Sequence, residues 1–386
     1  MGNNLTTKVC VMRHFLALLL CVPLMVFAET KENPLSDIAD SLERGHINKL
    51  LEHTADVPQI KTTLYTMLGR SDKAYEFLTE FSGGSYCELD SSVNQASGKR
   101  LVKEHVANHQ VVMVNENHFN VASRALVAKW LPWFKEQGFT HVGFEAFGSG
   151  EDAAKEFYVQ EPMMSNLIQS ANALGFMVFG YEAEQYAPDD MNFAERFEFR
   201  DKQQAENVMA QITQADENAR FLIFAGWSHI AEAPSQWSEG EYRTLGYFLK
   251  KEYGIDPLTI DTTACPYSGD INKPLESYSY KQDGDTVKVG RVQNVDIQIR
   301  VPKVPPTTVG YFRKALGDDY IPNKADWPES KPVILQAYNT ETGYVADRVM
   351  SEAGEQLPLY LPSGNYRVTL HSLDGELIWE NGVELD

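Results

Sequence analysis

The sequence predicts an α/β fold: a mostly parallel sheet with helices on both faces, preceded by a helical segment and followed by a β-rich region. Three observations predict it. From about 100 to 264, short runs rich in Val, Ile and Phe alternate with longer stretches of helical periodicity. Gly138, Gly175 and Gly254 each stand between a helical stretch and the next apolar run, where a left-handed C-cap is wanted. After Cys265 the pattern changes to period two, as in Val295-Asp-Ile297-Gln-Ile299 and Tyr366-Arg-Val368-Thr-Leu370.

Residues 1–28 read as a secretory signal. Lys8 and Arg13 give the positive start, Phe15–Phe27 the short apolar core, and Val26-Phe27-Ala28 the small-x-small site, with cleavage after Ala28. The expected location is therefore periplasmic or secreted, with no transmembrane anchor in the mature chain. In 29–100, Ile38, Leu42, Ile47, Leu50, Leu51, Leu64, Met67, Leu68, Tyr75 and Leu78 recur at helical spacing, read as a helical cover on the main domain. The main domain, 101–266, has strands near 110–115, 140–145, 176–181, 220–226 and 257–261. Its helices lie near 120–137, 151–173, 195–216 and 241–253. The accessory region is 267–386, its β-rich part beginning near 270 or near 328, with Val287–Val289 as a further strand and Asp374-Gly375 as a hairpin turn. Cys87 and Cys265 flank the main domain, and either pair in the oxidising compartment or remain two buried thiols.

Acidic residues outnumber basic ones by 54 to 34 for a net charge of -20, spread along the chain. Such a surface repels phosphate backbones, and no basic patch offsets it, which argues against nucleic acid as a partner. A hydrophobic content of 43% is enough for a real core.

Acids and histidines cluster at the ends of the apolar runs. Gln110–Val114 leads into Glu116 and His118, His141–Phe144 into Glu145, Phe176–Gly180 into Glu182 and Glu184, and Phe221–Gly226 into His229. In an open parallel sheet those ends share one edge, where ligands bind. Glu116 and His118 can form a general base with its orienting partner, or two ligands of one metal. A lone Glu-x-His is more often decorative, so the weight lies on the convergence. Glu145 ends a run that should stay apolar, which is costly unless it is paired or ligating. Gly226 permits a sharp turn that brings His229 back over the sheet edge. On the helix 195–216, Arg200, Gln203, Gln204 and Asn207 share a face with Asp201 beside it; the bland alternative is a solvated polar face. Phe119, Phe147, Trp227 and Tyr186 are candidate pocket aromatics or core.

Several motifs together resemble the superfamily of erythromycin esterases, ChaN-like haem-binding proteins and Tiki-type metalloproteases. They are Val112-Met-Val-Asn-Glu116-Asn-His118, Gln137-Gly-Phe-Thr-His-Val-Gly-Phe-Glu145, Arg200-Asp201-Lys-Gln-Gln-Ala-Glu206-Asn207-Val208 and Ala225-Gly226-Trp-Ser-His229. Arg243-Thr-Leu-Gly246-Tyr-Phe-Leu249 adds to the esterase likeness, and the whole covers roughly 105–262. The helix motif is closest to the esterase branch. The short Glu116-x-His118 spacing is that of the ChaN and Tiki branches, and Asn115 stands where the family usually has Gly.

The resemblance implies that His118 is a general base activating water, that Glu116 and Glu145 orient it, that His229 completes the catalytic face, and that Arg200 and Asp201 brace it. In the Tiki manner, Glu116, His118, Glu145 and His229 would instead hold a divalent metal. The expected function is thus a hydrolase attacking an ester or amide carbonyl of a small-molecule or peptide substrate, esterase-like or metal-dependent and peptidase-like. The alternative is a ChaN-like haem or metal binder without catalysis, with Tyr181, Tyr186 and His118 as haem ligands.

Overall fold

The computed structural model describes residues 38–55, 57–74, 94–148, 152–237, 239–263, 267–268, 278–282, 285–286, 292, 294–303, 309–323, 327–328 and 330–386. The expected signal, Tyr75, Leu78, the strand at Val287–Val289, and both Cys87 and Cys265 lie outside the described residues.

Six strands form the central sheet: β1 (Val111–Glu116), β2 (His141–Phe144), β3 (Met177–Gly180), β4 (Phe221–Gly226), β5 (Leu258–Asp261) and β6 (Ile297–Gln298). Their order is β6-β5-β1-β4-β2-β3 and every pairing is parallel. The connecting helices are α5 (Ala122–Glu136), α6 (Pro162–Ala173), α7 (Phe193–Gln214) and α8 (Leu245–Lys251), after α1 (Ile38–Glu43), α2 (Ile47–His53), α3 (Pro58–Met67) and α4 (Gly98–His105). The three C-capping glycines adopt the expected left-handed conformation, with φ of 84° at Gly138, 72° at Gly175 and 72° at Gly254.

Alternation along the strands divides the core into two layers. Val112, Val114, Val142, Phe144, Leu222 and Phe224 face α5 and α6. Met113, Phe221, Ile223 and Ala225 face α7 and α8. Neighbouring strands β1 and β4 are therefore followed by helices on opposite faces, α5 and α8. A parallel sheet opens a crevice at such a switch point. The register aligns its rim, with Glu116 level with Gly226 and Phe144 level with Phe224.

The expected helix at 151–173 is shorter than its periodicity. Single 3-10 turns cover Ala153–Lys155 and Tyr158–Gln160, and α6 begins at Pro162 with Glu161 as its N-cap. Proline lacks an N–H and disfavours helix in the residue before it, so it starts the helix there.

The tail contributes to both halves. Ile297 and Gln298 add the sixth strand of the central sheet, pairing with Ile260 and Asp261. Beyond them β7 (Val333–Asn339), β8 (Val345–Ser351), β9 (Gly364–Ser372) and β10 (Leu377–Leu385) form an antiparallel sheet of order β8-β7-β9-β10. Asp374-Gly375 turns between the last two strands, with Gly375 at φ 90°. Helices α1–α3 cover this sheet instead of the main domain. Ile38, Leu42, Ile47, Leu50, Leu64 and Met67 share a core with Ile334 on β7, Met350 on β8 and Leu373 in the turn after β9. Among the described residues no helix is long and apolar enough to cross a membrane.

Candidate active site

The β1/β4 rim carries the expected acids and histidines, arranged as two carboxylate–histidine pairs. Glu116, the last residue of β1, accepts from His118 Nδ1 at 2.9 Å. Behind it, Arg124 on α5 donates through Nε to Oε2 at 2.5 Å and through Nη2 to Oε1 at 2.7 Å. Arg124 Nη1 continues to Glu161 Oε2 at 2.7 Å, and Glu161 also accepts from the backbone amides of Met163 and Met164. Burial alone would raise the Glu116 carboxyl, but Arg124 and His118 bring it down to about 2. An ionised carboxylate only accepts, so the proton of this bond sits on His118 Nδ1, and in the neutral ring the lone pair is on Nε2.

The His118 ring lies between Tyr158, stacked at 4.5 Å, and Trp227, edge-on at 6.4 Å. Its far edge rests over Gly226: a Cβ there would meet His118 Nε2 at 2.7 Å and Glu145 Oε2 at 3.3 Å.

The second pair is deeper. His229 Nδ1 lies 2.6 Å from Asp201 Oδ1, close but out of line for a straight hydrogen bond. Asp201 Oδ2 accepts from the Leu245 amide at 2.9 Å, joining α7 to the start of α8. His229 Nε2 lies 3.2 Å from Arg200 Nη1 and 3.3 Å from Glu145 Oε1. Burial lowers the basicity of His229, but Asp201 and Glu145 outweigh it and its pKa is raised. Glu145 accepts from the Gly226 amide and from Arg200 Nη2, both at 2.5 Å. Burial works against its charge, yet His229 and Arg200 hold it well below the usual carboxylate range.

The Arg200 face of α7 is turned inward, onto the segment after β3. Arg200 also binds both oxygens of Glu182, Gln204 reaches Glu182 Oε1 at 3.2 Å, and Asn207 donates to the Tyr181 and Glu182 carbonyls. Gln203 exchanges hydrogen bonds with the Gln185 backbone. The helix begins squarely because Asn192 and Glu195 form a capping box.

No protein-family model and no curated protein matches this sequence. Solved structures give low scores. The RRSP effector domain of a MARTX toxin from Vibrio vulnificus CMCP6 aligns at TM-score 0.31 and 14% identity over 61% of this chain and 47% of that one. The C-terminal region of Pasteurella multocida toxin aligns at 0.32 and 10% identity over 81% and 50%. The type III effector HopBA1 aligns at 0.32 and 13% identity over 45% and 87%. The chain spans about half the length of these two toxin chains.

All six expected site residues, Glu116, His118, Glu145, Arg200, Asp201 and His229, meet at this rim. The metal set does not form. Among the described residues no group of three or more His, Cys, Asp or Glu side chains is arranged to hold a metal ion. Glu116 is taken up by Arg124 and His118, and Glu145 by Arg200 and the Gly226 amide, so a cation would have to displace a guanidinium. The residues present therefore do not fit a divalent metal.

The proposed haem ligands also separate: Tyr181 is fully buried with its hydroxyl on the Phe224 carbonyl, and Tyr186 is 82% exposed. Of the candidate pocket aromatics, Trp227 lies edge-on to His118, Phe119 packs against Trp227, Phe147 belongs to the core, and Tyr186 is exposed. Glu184 is exposed and takes no part.

Arg124, Tyr158 and Glu161 were not expected, and Glu182 only as a strand-end acid. For Arg124 and Glu161 the sequence carries a signal. Arg124 stands on the face that also carries Val127 and Leu131, where a charge needs a buried partner. Glu161-Pro162 is an acceptor followed by proline, a helix start.

Proposed function

We propose that the protein is a hydrolase in which His118 takes a proton from water as the water attacks an ester or amide carbonyl. What supports this is the Glu116–His118 pair. A buried, ionised carboxylate fixes Nδ1 as the donor, which leaves Nε2, over Gly226 at the rim, as the nitrogen that accepts a proton in the neutral ring. As the proton moves from water to Nε2, Glu116 stabilises the imidazolium that forms. His229 and Arg200 hold the Glu145 carboxylate in place, and Asp201 holds His229. The likeness to the erythromycin esterase-type superfamily agrees with this reading, under which the protein works in the periplasm or outside the cell on a small-molecule or peptide substrate.

The test is a panel of p-nitrophenyl esters and amino-acid p-nitroanilides. Hydrolysis by the wild-type protein should disappear in His118→Ala and in His229→Ala, with circular dichroism unchanged. Wild-type turnover in both variants would overturn the reading.

A further inference from the structure

The C-terminal sheet reaches the His118 pocket through one short segment. Strand β8 grips the stretch from Gln160 to Asn166 at three points. Arg348 Nη1 donates to the Gln160 carbonyl at 2.9 Å, Ser165 Oγ to the Val345 carbonyl at 2.6 Å, and Asn166 Nδ2 to the Ala346 carbonyl at 2.6 Å. Arg348 is itself fully buried. Its side chain bonds only neutral oxygens among the described residues: Gln336 Oε1 at 2.7 Å, the Tyr338 hydroxyl at 2.9 Å, and the Gln160 and Met67 carbonyls. A buried guanidinium without a carboxylate is costly, and a hydrophobic residue would fill the space more cheaply. What it joins is β7, β8, the end of α3 and the segment before α6.

The start of that segment, with Tyr158 two residues before Gln160, bears on both members of the Glu116–His118 pair. Tyr158 stacks on the His118 ring, and Glu161 holds Arg124, which holds Glu116. We infer that the C-terminal sheet sets the geometry of the His118 base, with Arg348, Ser165 and Asn166 as positioning residues that act through Tyr158 and Glu161. The catalytic consequence rests on the hydrolase reading; the placement of His118 does not. The second histidine supplies a contrast, because its partners Asp201 and Arg200 sit on α7, off the gripped segment.

The experiment uses full-length protein labelled with 15N-histidine. In the wild type, His118 should show a single tautomer protonated at Nδ1. In Arg348→Lys, and in a Ser165→Ala/Asn166→Ala double variant that keeps the buried cation, His118 should become a mixture of tautomers while the His229 signals stay in place. On a hydrolysed p-nitrophenyl ester, kcat should fall by about tenfold to a hundredfold with KM nearly constant, the effect of a slightly misplaced base.

Unchanged His118 signals in the folded variants would overturn the inference, and so would His118 and His229 shifting together, which marks general loosening. If Arg348→Lys does not fold, the double variant decides. A protein that hydrolyses nothing yet shows the selective His118 response refutes the hydrolase reading and leaves the positioning role standing.

Discussion

Gly226 and His118 occupy adjoining space with no room for a methyl group between them. A Cβ on Gly226 would lie 2.6 Å from His118 Cε1. The backbone at Gly226 is ordinary, at φ -80° and ψ 149°, so alanine meets no conformational penalty there. The imidazole is the movable partner. Gly226→Ala should therefore push His118 off the rim, abolish hydrolysis, and cost no more than about 1–3 kcal/mol of stability. Equal losses of turnover and of native circular dichroism would mean that the glycine serves the fold alone.

Arg124 is fully buried between two carboxylates, Glu116 and Glu161. Arg124→Met should strand both acids without a cation, and breaking a buried pair in this way costs about 3–5 kcal/mol. Urea denaturation at neutral pH measures it. A double variant, Arg124→Met with Glu116→Gln, should recover part of the loss. Additive losses would show that the two side chains do not act as a pair.

The strand ends were legible because the chemistry there breaks a strong rule: an acid or histidine interrupts an otherwise apolar run at Glu116, Glu145 and His229. The cap glycines were legible because a single residue type fits their backbone. Arg124 was legible only as a charge on the apolar face of its helix, which a snorkelling side chain would also explain; its partner on β1 was not. Nor was the partnership of α1–α3 with β7 and β8, a contact between segments hundreds of residues apart that no local period encodes. The inward turn of Arg200 lay in between. Its helical face was readable, but the direction of that face was set by Glu145 and Glu182 on other elements.

Stability should fall on both sides of neutral pH, for different reasons. Glu116 is depressed from 4.5 to about 2 in the folded protein, so its contribution is complete above 4.5 and is lost as pH falls towards 2. His229 is raised above 6.5, so its contribution is complete below 6.5 and is lost as pH rises through its folded value. Glu116→Gln should flatten the acid limb of the melting temperature, and Asp201→Asn the alkaline limb. Limbs as steep as in the wild type would show that other groups govern them.

Asn115 tests how the rim is held. Trp227 follows β4 at φ 41°, a left-handed conformation that costs a non-glycine residue about 1–3 kcal/mol and persists only where the surroundings enforce it. The enforcing contact is Asn115 Nδ2, which donates to the Trp227 carbonyl at 2.7 Å and to Asp261 Oδ1 at 2.8 Å, while Asn115 Oδ1 accepts from the Thr262 amide at 2.7 Å. Glycine at this position could make none of these side-chain bonds. Asn115→Ala should therefore release the Trp227 turn, loosening His229 two residues on and the ring packed beside His118, and should leave buried groups unsatisfied at about 1–3 kcal/mol each. Turnover measured well below the melting point should drop further than the folded fraction does. Asn115→Asp sharpens the test, because burial already pushes the Asp261 carboxyl up and a second carboxylate beside it would be raised as well. That variant should be most stable at acid pH, where one of the two carboxyls holds a proton, and should lose stability as pH rises through their raised values. An Asn115→Ala protein with wild-type melting temperature and turnover would remove Asn115 from the architecture of the site.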